Sequence, residues 1–171
     1  MTILSQSRYN ACLKAMDDYR RASTDDPGVK DHIFICIRKV IEANLKHRFL
    51  NLIESKIPII HQRMCGTMIR EIANSPDVKS TDHVWNQKKI TDELQQLNNT
   101  VSPAAHIDGV LEQHDIDYLD RVQNTSPVEL NALIGQALDM INNKLLLLVY
   151  TTKDKKKKVK VAAVLSSTTA H

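Results

Sequence analysis

The side chains with the most reactive chemistry are three cysteines, Cys12, Cys36 and Cys65, and seven histidines. A nucleophile works only with a base in reach and a third group to orient that base. No stretch of this chain places such groups together. It contains no G-x-S-x-G, no phosphate-cradling glycine loop, no G-x-G-x-x-G and no H-E-x-x-H. The cysteines are odd in number, widely spaced and without a C-x-x-C pair, so they read as small reduced thiols rather than a disulfide framework. His47 and His61 sit among basic residues and read as surface or phosphate-side groups. Catalysis assembled across the fold leaves no local trace, so an enzyme is the third-ranked reading and a non-enzymatic role is expected.

The strip HIDGVLEQHDIDYLD, residues 106–120, gathers carboxylates with His106 and His114. Oxygen and imidazole donors are the ligands of hard and borderline cations. The strip lacks the calcium-loop spacing and the Glu-x-x-His pair of a di-iron site. Neither a metal nor a cofactor is expected. An acidic face, solvated or docked against a basic one, is the better account.

The net charge of +3 hides a basic–acidic–basic layout. Residues 30–70 hold eight basic and three acidic side chains, residues 92–129 one basic and eight acidic, and residues 144–160 seven lysines and one aspartate. The first block supplies Arg38, Lys39, Lys46, Arg48 and Arg63. The last supplies Lys155, Lys156, Lys157 and Lys158 within KDKKKKVK. A run of like charge resists packing and is expected to be exposed. It resembles a short nuclear-localisation run. It also suits a phosphate backbone or an anionic lipid surface. Cations fixed on a helix neutralise phosphates and release counterions, which tightens binding without reading bases. Few aromatics lie near these charges, which disfavours base stacking.

These charges must be positioned by helices. The 171 residues include only four glycines, five prolines and 4% aromatics, which argues against an all-β fold of many tight turns. Apolar residues at steps of three and four mark helices over residues 5–22, 31–56, 59–74, 81–98, 103–122 and 127–150. Pro58 ends or kinks the second, and Ser23 to Gly28 is a turn before it. Ser75-Pro76, Ser102-Pro103 and Ser126-Pro127 are read as caps, with Glu129 completing a capping box. The last helix carries a broad stripe from Leu130 to Leu148 that needs a partner surface. Residues 145–152 and 159–165 could instead form a C-terminal β-hairpin. Trp85, the one tryptophan, is read as a core or interface anchor.

The sequence thus predicts an all-α bundle of about six helices. A seam at Asn98-Asn99-Thr100 would divide it into lobes 1–98, with the basic segment, and 101–171, with the acidic strip and the lysine run. No apolar run is long enough to span a bilayer, and no signal peptide or lipidation signal is read. The expected location is cytoplasmic, with residues 155–160 as a nuclear address. The leading functional reading is a self-assembling helical protein, of the small viral or regulatory kind, that binds nucleic acid, RNA before DNA, without sequence readout. The alternative is a protein–protein adaptor or structural assembly subunit with no nucleic-acid role.

Overall fold

The computed structural model describes residues 3–103 and 113–151. Within them seven α-helices and one small antiparallel sheet form the all-α bundle that the periodicity predicts. α1 (Ile3–Arg21) turns back through residues 22–26 onto α2 (Pro27–Arg48). The turn is fixed by Tyr19, whose hydroxyl donates to the Thr24 carbonyl at 2.7 Å. α2 starts earlier than the apolar stripe suggests. Asp26 caps it, accepting from the Val29 N–H at 3.0 Å, and Pro27 occupies its first turn.

α2 is the central helix. Ile33, Phe34, Cys36, Ile37, Val40, Ile41 and Leu45 are buried, and α2 touches each of the other six helices. It breaks at Phe49, where the backbone leaves helical geometry (φ −116°, ψ 29°) while the ring is buried. α3 (Leu50–Lys56) follows and stops before Pro58, whose ring disfavours helical backbone in the residue before it. A single 3₁₀ turn, Ile60–Gln62, leads to α4 (Cys65–Asn74). The helix expected over 59–74 is therefore confined to its second part.

β1 (Val78–Ser80) pairs antiparallel with β2 (Leu148–Tyr150), with Val78 opposite Tyr150 and Ser80 opposite Leu148. Between β1 and α5 (Gln87–Val101) lies a turn in which the Asp82 carboxylate accepts the Trp85 N–H at 3.2 Å. Residues 81–86 are thus not helical, and Asn86 caps α5 by accepting from the Lys89 N–H at 2.9 Å. Asn98, Asn99 and Thr100 lie within the end of α5. The buried residues on either side of them belong to one hydrophobic cluster.

α6 (Gln113–Asn124) packs on α2, and α7 (Pro127–Asp139) is capped by Ser126, which accepts from the Glu129 N–H at 3.1 Å. The α-helix expected to reach residue 150 ends at Asp139. A π turn (Met140–Lys144) and a 3₁₀ turn (Leu145–Leu147) then keep Met140, Ile141 and Leu145 buried while leading the chain into β2. The apolar stripe finds its partner surface within the chain, against α1, α2 and α5. Residues 148–150 are strand, as the hairpin reading had it. Their partner among the described residues is β1, and the other expected arm, 159–165, lies outside those residues. Among the described residues no helix is long and apolar enough to cross a membrane.

Candidate anion-binding groove

The basic block of residues 30–70 divides once α2 is packed. Lys30 is 1% exposed. Its Nζ donates to the Gln123 and Thr125 carbonyls, both at 2.9 Å, and to Asp25 Oδ1 at 2.8 Å. Arg38 is half-buried with its guanidinium 5.4 Å from the centre of the Tyr118 ring, a cation–π distance. Tyr118 in turn donates to Asp31 Oδ1 at 3.0 Å and meets Phe34 edge-on at 6.1 Å. Burial above all pushes the Tyr118 hydroxyl up to about 12. Arg63 is held at the end of α3, where its Nε donates to the Ile57 carbonyl at 2.8 Å. Of the five sequence candidates in this block, Arg38 and Arg63 therefore hold the fold together.

Lys39, Lys46 and Arg48 are exposed. Lys39 and Lys46, seven residues apart, are two turns along one face of α2. They line a groove between α2 and the first half of α1, made of two adjoining hollows of about 380 and 560 Å³. Tyr9 forms its floor, its hydroxyl accepting from Asn44 Nδ2 at 3.0 Å. Arg8 lines the groove from α1, and His47 and Leu50 stand at its α2 end. Glu42 is the one carboxylate in the lining, and Lys46 Nζ donates to its Oε1 at 2.6 Å. Arg8 escaped the sequence reading because charge was tallied by stretch, and it lies 31 residues before Lys39. The antiparallel packing of α1 on α2 brings the two into one lining. Arg48 lies near this end of α2 but lines neither hollow. Lys155, Lys156, Lys157 and Lys158 lie outside the described residues, as do residues 106–112 of the acidic strip.

The rest of that strip is on α6, and α6 contacts the basic helix α2 through Tyr118. Among the described residues no group of three or more metal-ligating side chains comes together. The cysteines are free thiols. Burial, then the neighbouring Cys12 thiol, pushes Cys36 up to about 12, and burial does the same to Cys65. Both are held protonated, which makes them poor nucleophiles at neutral pH. Trp85 is half-buried against the core, with Lys89 Nζ 4.2 Å and Lys144 Nζ 4.0 Å from its ring centre. Lys144 also pairs with Glu93 at 2.7 Å.

Compared with family models, with curated proteins and with solved structures, the chain matches none.

Proposed function

We propose that this protein binds the phosphate backbone of nucleic acid, RNA in the first instance, without sequence readout and without catalysis. The observation that carries the reading is the α1–α2 groove, where Arg8, Lys39 and Lys46 surround a concave surface with a single carboxylate. Ammonium and guanidinium groups held by two packed helices form a fixed array for phosphates. Tyr9 is half-buried and has its hydroxyl engaged, so the groove offers little to stack a base upon. One groove is a weak site. Self-assembly, and a second contact through Lys155 to Lys158, would raise the avidity. The same lysines would serve as a nuclear-import address.

The test is the combined variant Lys39→Glu, Lys46→Glu, Arg48→Glu, titrated by fluorescence anisotropy against a short RNA and its DNA counterpart over a range of salt. These side chains are exposed, so circular dichroism should be unchanged. Affinity is expected to fall, and the slope of log K against log salt to flatten by roughly 2 for three lost phosphate contacts. Unchanged affinity and slope in a folded variant would remove the groove from consideration.

The adaptor reading has its own observation. Ile59, Ile60 and Met64 are exposed around the 3₁₀ turn, Ile60 at 76%. Apolar groups grouped in this way mark contact surfaces. Light scattering with and without RNA separates the readings, because an oligomer that ignores RNA at low salt favours the adaptor.

A further inference from the structure

Two thiols and an imidazole stand together where α1 packs antiparallel on α2, and the phosphate reading uses none of them. Tyr9, Cys12 and Met16 follow one another at steps of three and four, and all three pack against the core. Tyr9 reaches Asn44 of α2, and Cys12 shares the wall of a hollow with Val40. Cys36 comes one turn before Val40 on α2, so the antiparallel packing sets its thiol beside that of Cys12. Cys36 Sγ also lies 3.6 Å from Nε2 of His32, one turn further back along the same helix.

The two thiols differ in what they meet. Cys36 is 1% exposed and is held protonated by burial, then by the Cys12 thiol. Cys12 is half-buried and lines a hollow of about 560 Å³ that also takes in Arg8 and Lys39. A small oxidant can reach Cys12 from solvent, whereas Cys36 is shielded. Toward a free reagent Cys36 is a poor nucleophile, but a target held beside it needs no encounter. His32 is exposed, so its ring can pass a proton between Cys36 and water. An accessible thiol, a shielded thiol within reach and a proton carrier on the shielded one suit disulfide formation by way of a sulfenic acid.

We propose that Cys12 and Cys36 form a redox modification site that reacts with a hydroperoxide and closes to a disulfide between α1 and α2. Cys12, as thiolate, attacks the terminal oxygen of the peroxide. The O–O bond breaks and the Cys12 sulfur gives up two electrons, becoming a sulfenic acid. The departing oxygen takes up a proton and leaves as alcohol or water. The Cys36 sulfur then attacks the Cys12 sulfur. His32 Nε2, in the tautomer with its proton on Nδ1, accepts the Cys36 proton as it does so. The S–O bond breaks, and the hydroxide released takes that proton and leaves as water. Two thiols and one peroxide thus give one disulfide, one alcohol or water from the peroxide, and one further water. The product ties α1 to α2 at the wall of the groove, and a dithiol reverses it. The site needs nothing bound in the groove, so it stands or falls apart from the proposed function.

The experiment exposes the full chain to a few equivalents of hydrogen peroxide at neutral pH. Remaining thiols are blocked with N-ethylmaleimide in urea, and the peptides are read by mass without reduction. The expected product is a cross-link between Cys12 and Cys36 within one chain, lighter by two hydrogens, with Cys65 carrying the blocking group. In Cys36→Ala, dimedone should trap a sulfenic acid on Cys12. In Cys12→Ala, Cys36 should remain a thiol. His32→Gln should slow closure by roughly tenfold or more, while the Cys12 sulfenic acid forms at the parent rate. Both rates falling together would remove His32 from the proposed step. A cross-link that involves Cys65 or joins two chains would overturn the assignment. So would a sulfenic acid on Cys12 that persists in the parent beside a reduced Cys36, or three thiols that all survive the peroxide.

Discussion

Lys30→Met tests whether a buried cation in the basic block is a structural part. The lysine stem and the methionine side chain are similar in length, so the substitution removes the ammonium while leaving most of the apolar packing. Lys30 Nζ has three N–H groups and three acceptors, at 2.8, 2.9 and 2.9 Å. One acceptor, Asp25, is 77% exposed and returns to water at little cost. That one contact is worth less than about 1 kcal/mol. The Thr125 carbonyl is in the buried part of the contact, and leaving such an acceptor unpaired costs about 1–3 kcal/mol. Losing the charge beside the C-terminal end of α6 adds about 0.3–1 kcal/mol. Relief from burying an ammonium offsets part of this. The net expectation is a loss of about 2–3 kcal/mol, which for a chain of this size lowers Tm by roughly 4–12 °C. Urea and thermal unfolding of Lys30→Met, with Asp25→Asn beside it, provide the assay. Asp25→Asn should cost under about 1 kcal/mol. A Lys30→Met protein within about 0.5 kcal/mol of the parent, inside the range of an ordinary surface change, would refute the reasoning. So would an Asp25→Asn effect as large as that of Lys30→Met.

Two further outcomes follow from the packing. Cys36 and Cys65 are both raised from 9.0 to about 12, so at pH values below 9.0 their thiolate fraction is roughly a thousandfold lower than that of an ordinary thiol. Iodoacetamide at mildly alkaline pH should alkylate both far more slowly in the native protein than in urea, as read by peptide mass. Because these folded values are raised, the linked stability is present below pH 9.0 and is lost as pH climbs toward about 12. The urea midpoint should therefore fall over that window, and less steeply in Cys36→Ala, Cys65→Ala. Gln87→Ala should cost about 1–2 kcal/mol in urea unfolding, because Gln87 Nε2 donates to the Ile72, Ala73 and Ser75 carbonyls where α4 ends. A neutral effect would show that water replaces the amide there.

Helix type was legible because burial has a period, and Phe34, Ile37, Ile41 and Leu45 carry that period along α2. The ends were less so. Asp26-Pro27 is a cap followed by a first-turn proline, but beside Ser23, Thr24 and Gly28 it reads as a turn. β1 is three residues long, too short for any alternation to stand out, and its partner lies 68 residues further along the chain in β2. The π turn after Asp139 leaves the apolar stripe in place while changing the backbone that carries it. In the candidate groove, Lys39 and Lys46 were visible from their spacing on α2. Arg8 was not, because its membership depends on how α1 packs.

The basic block holds a more general ambiguity, since a cation on a helix can face solvent or reach the carbonyls at another helix's end. The last carbonyls of a helix have no partner within it and accept any donor in range. In this chain Arg63 reaches the end of α3, Arg121 the end of α5 and Lys30 the end of α6. Each counts as positive charge in a tally, yet each is directed inward onto the fold. Helix starts show the converse. Asp26, Asn86 and Ser126 close those of α2, α5 and α7 with an oxygen, while α4 begins at Met64 without one. Exposed cations on α2 and cations turned onto helix ends are different features, and the net charge of +3 distinguishes neither.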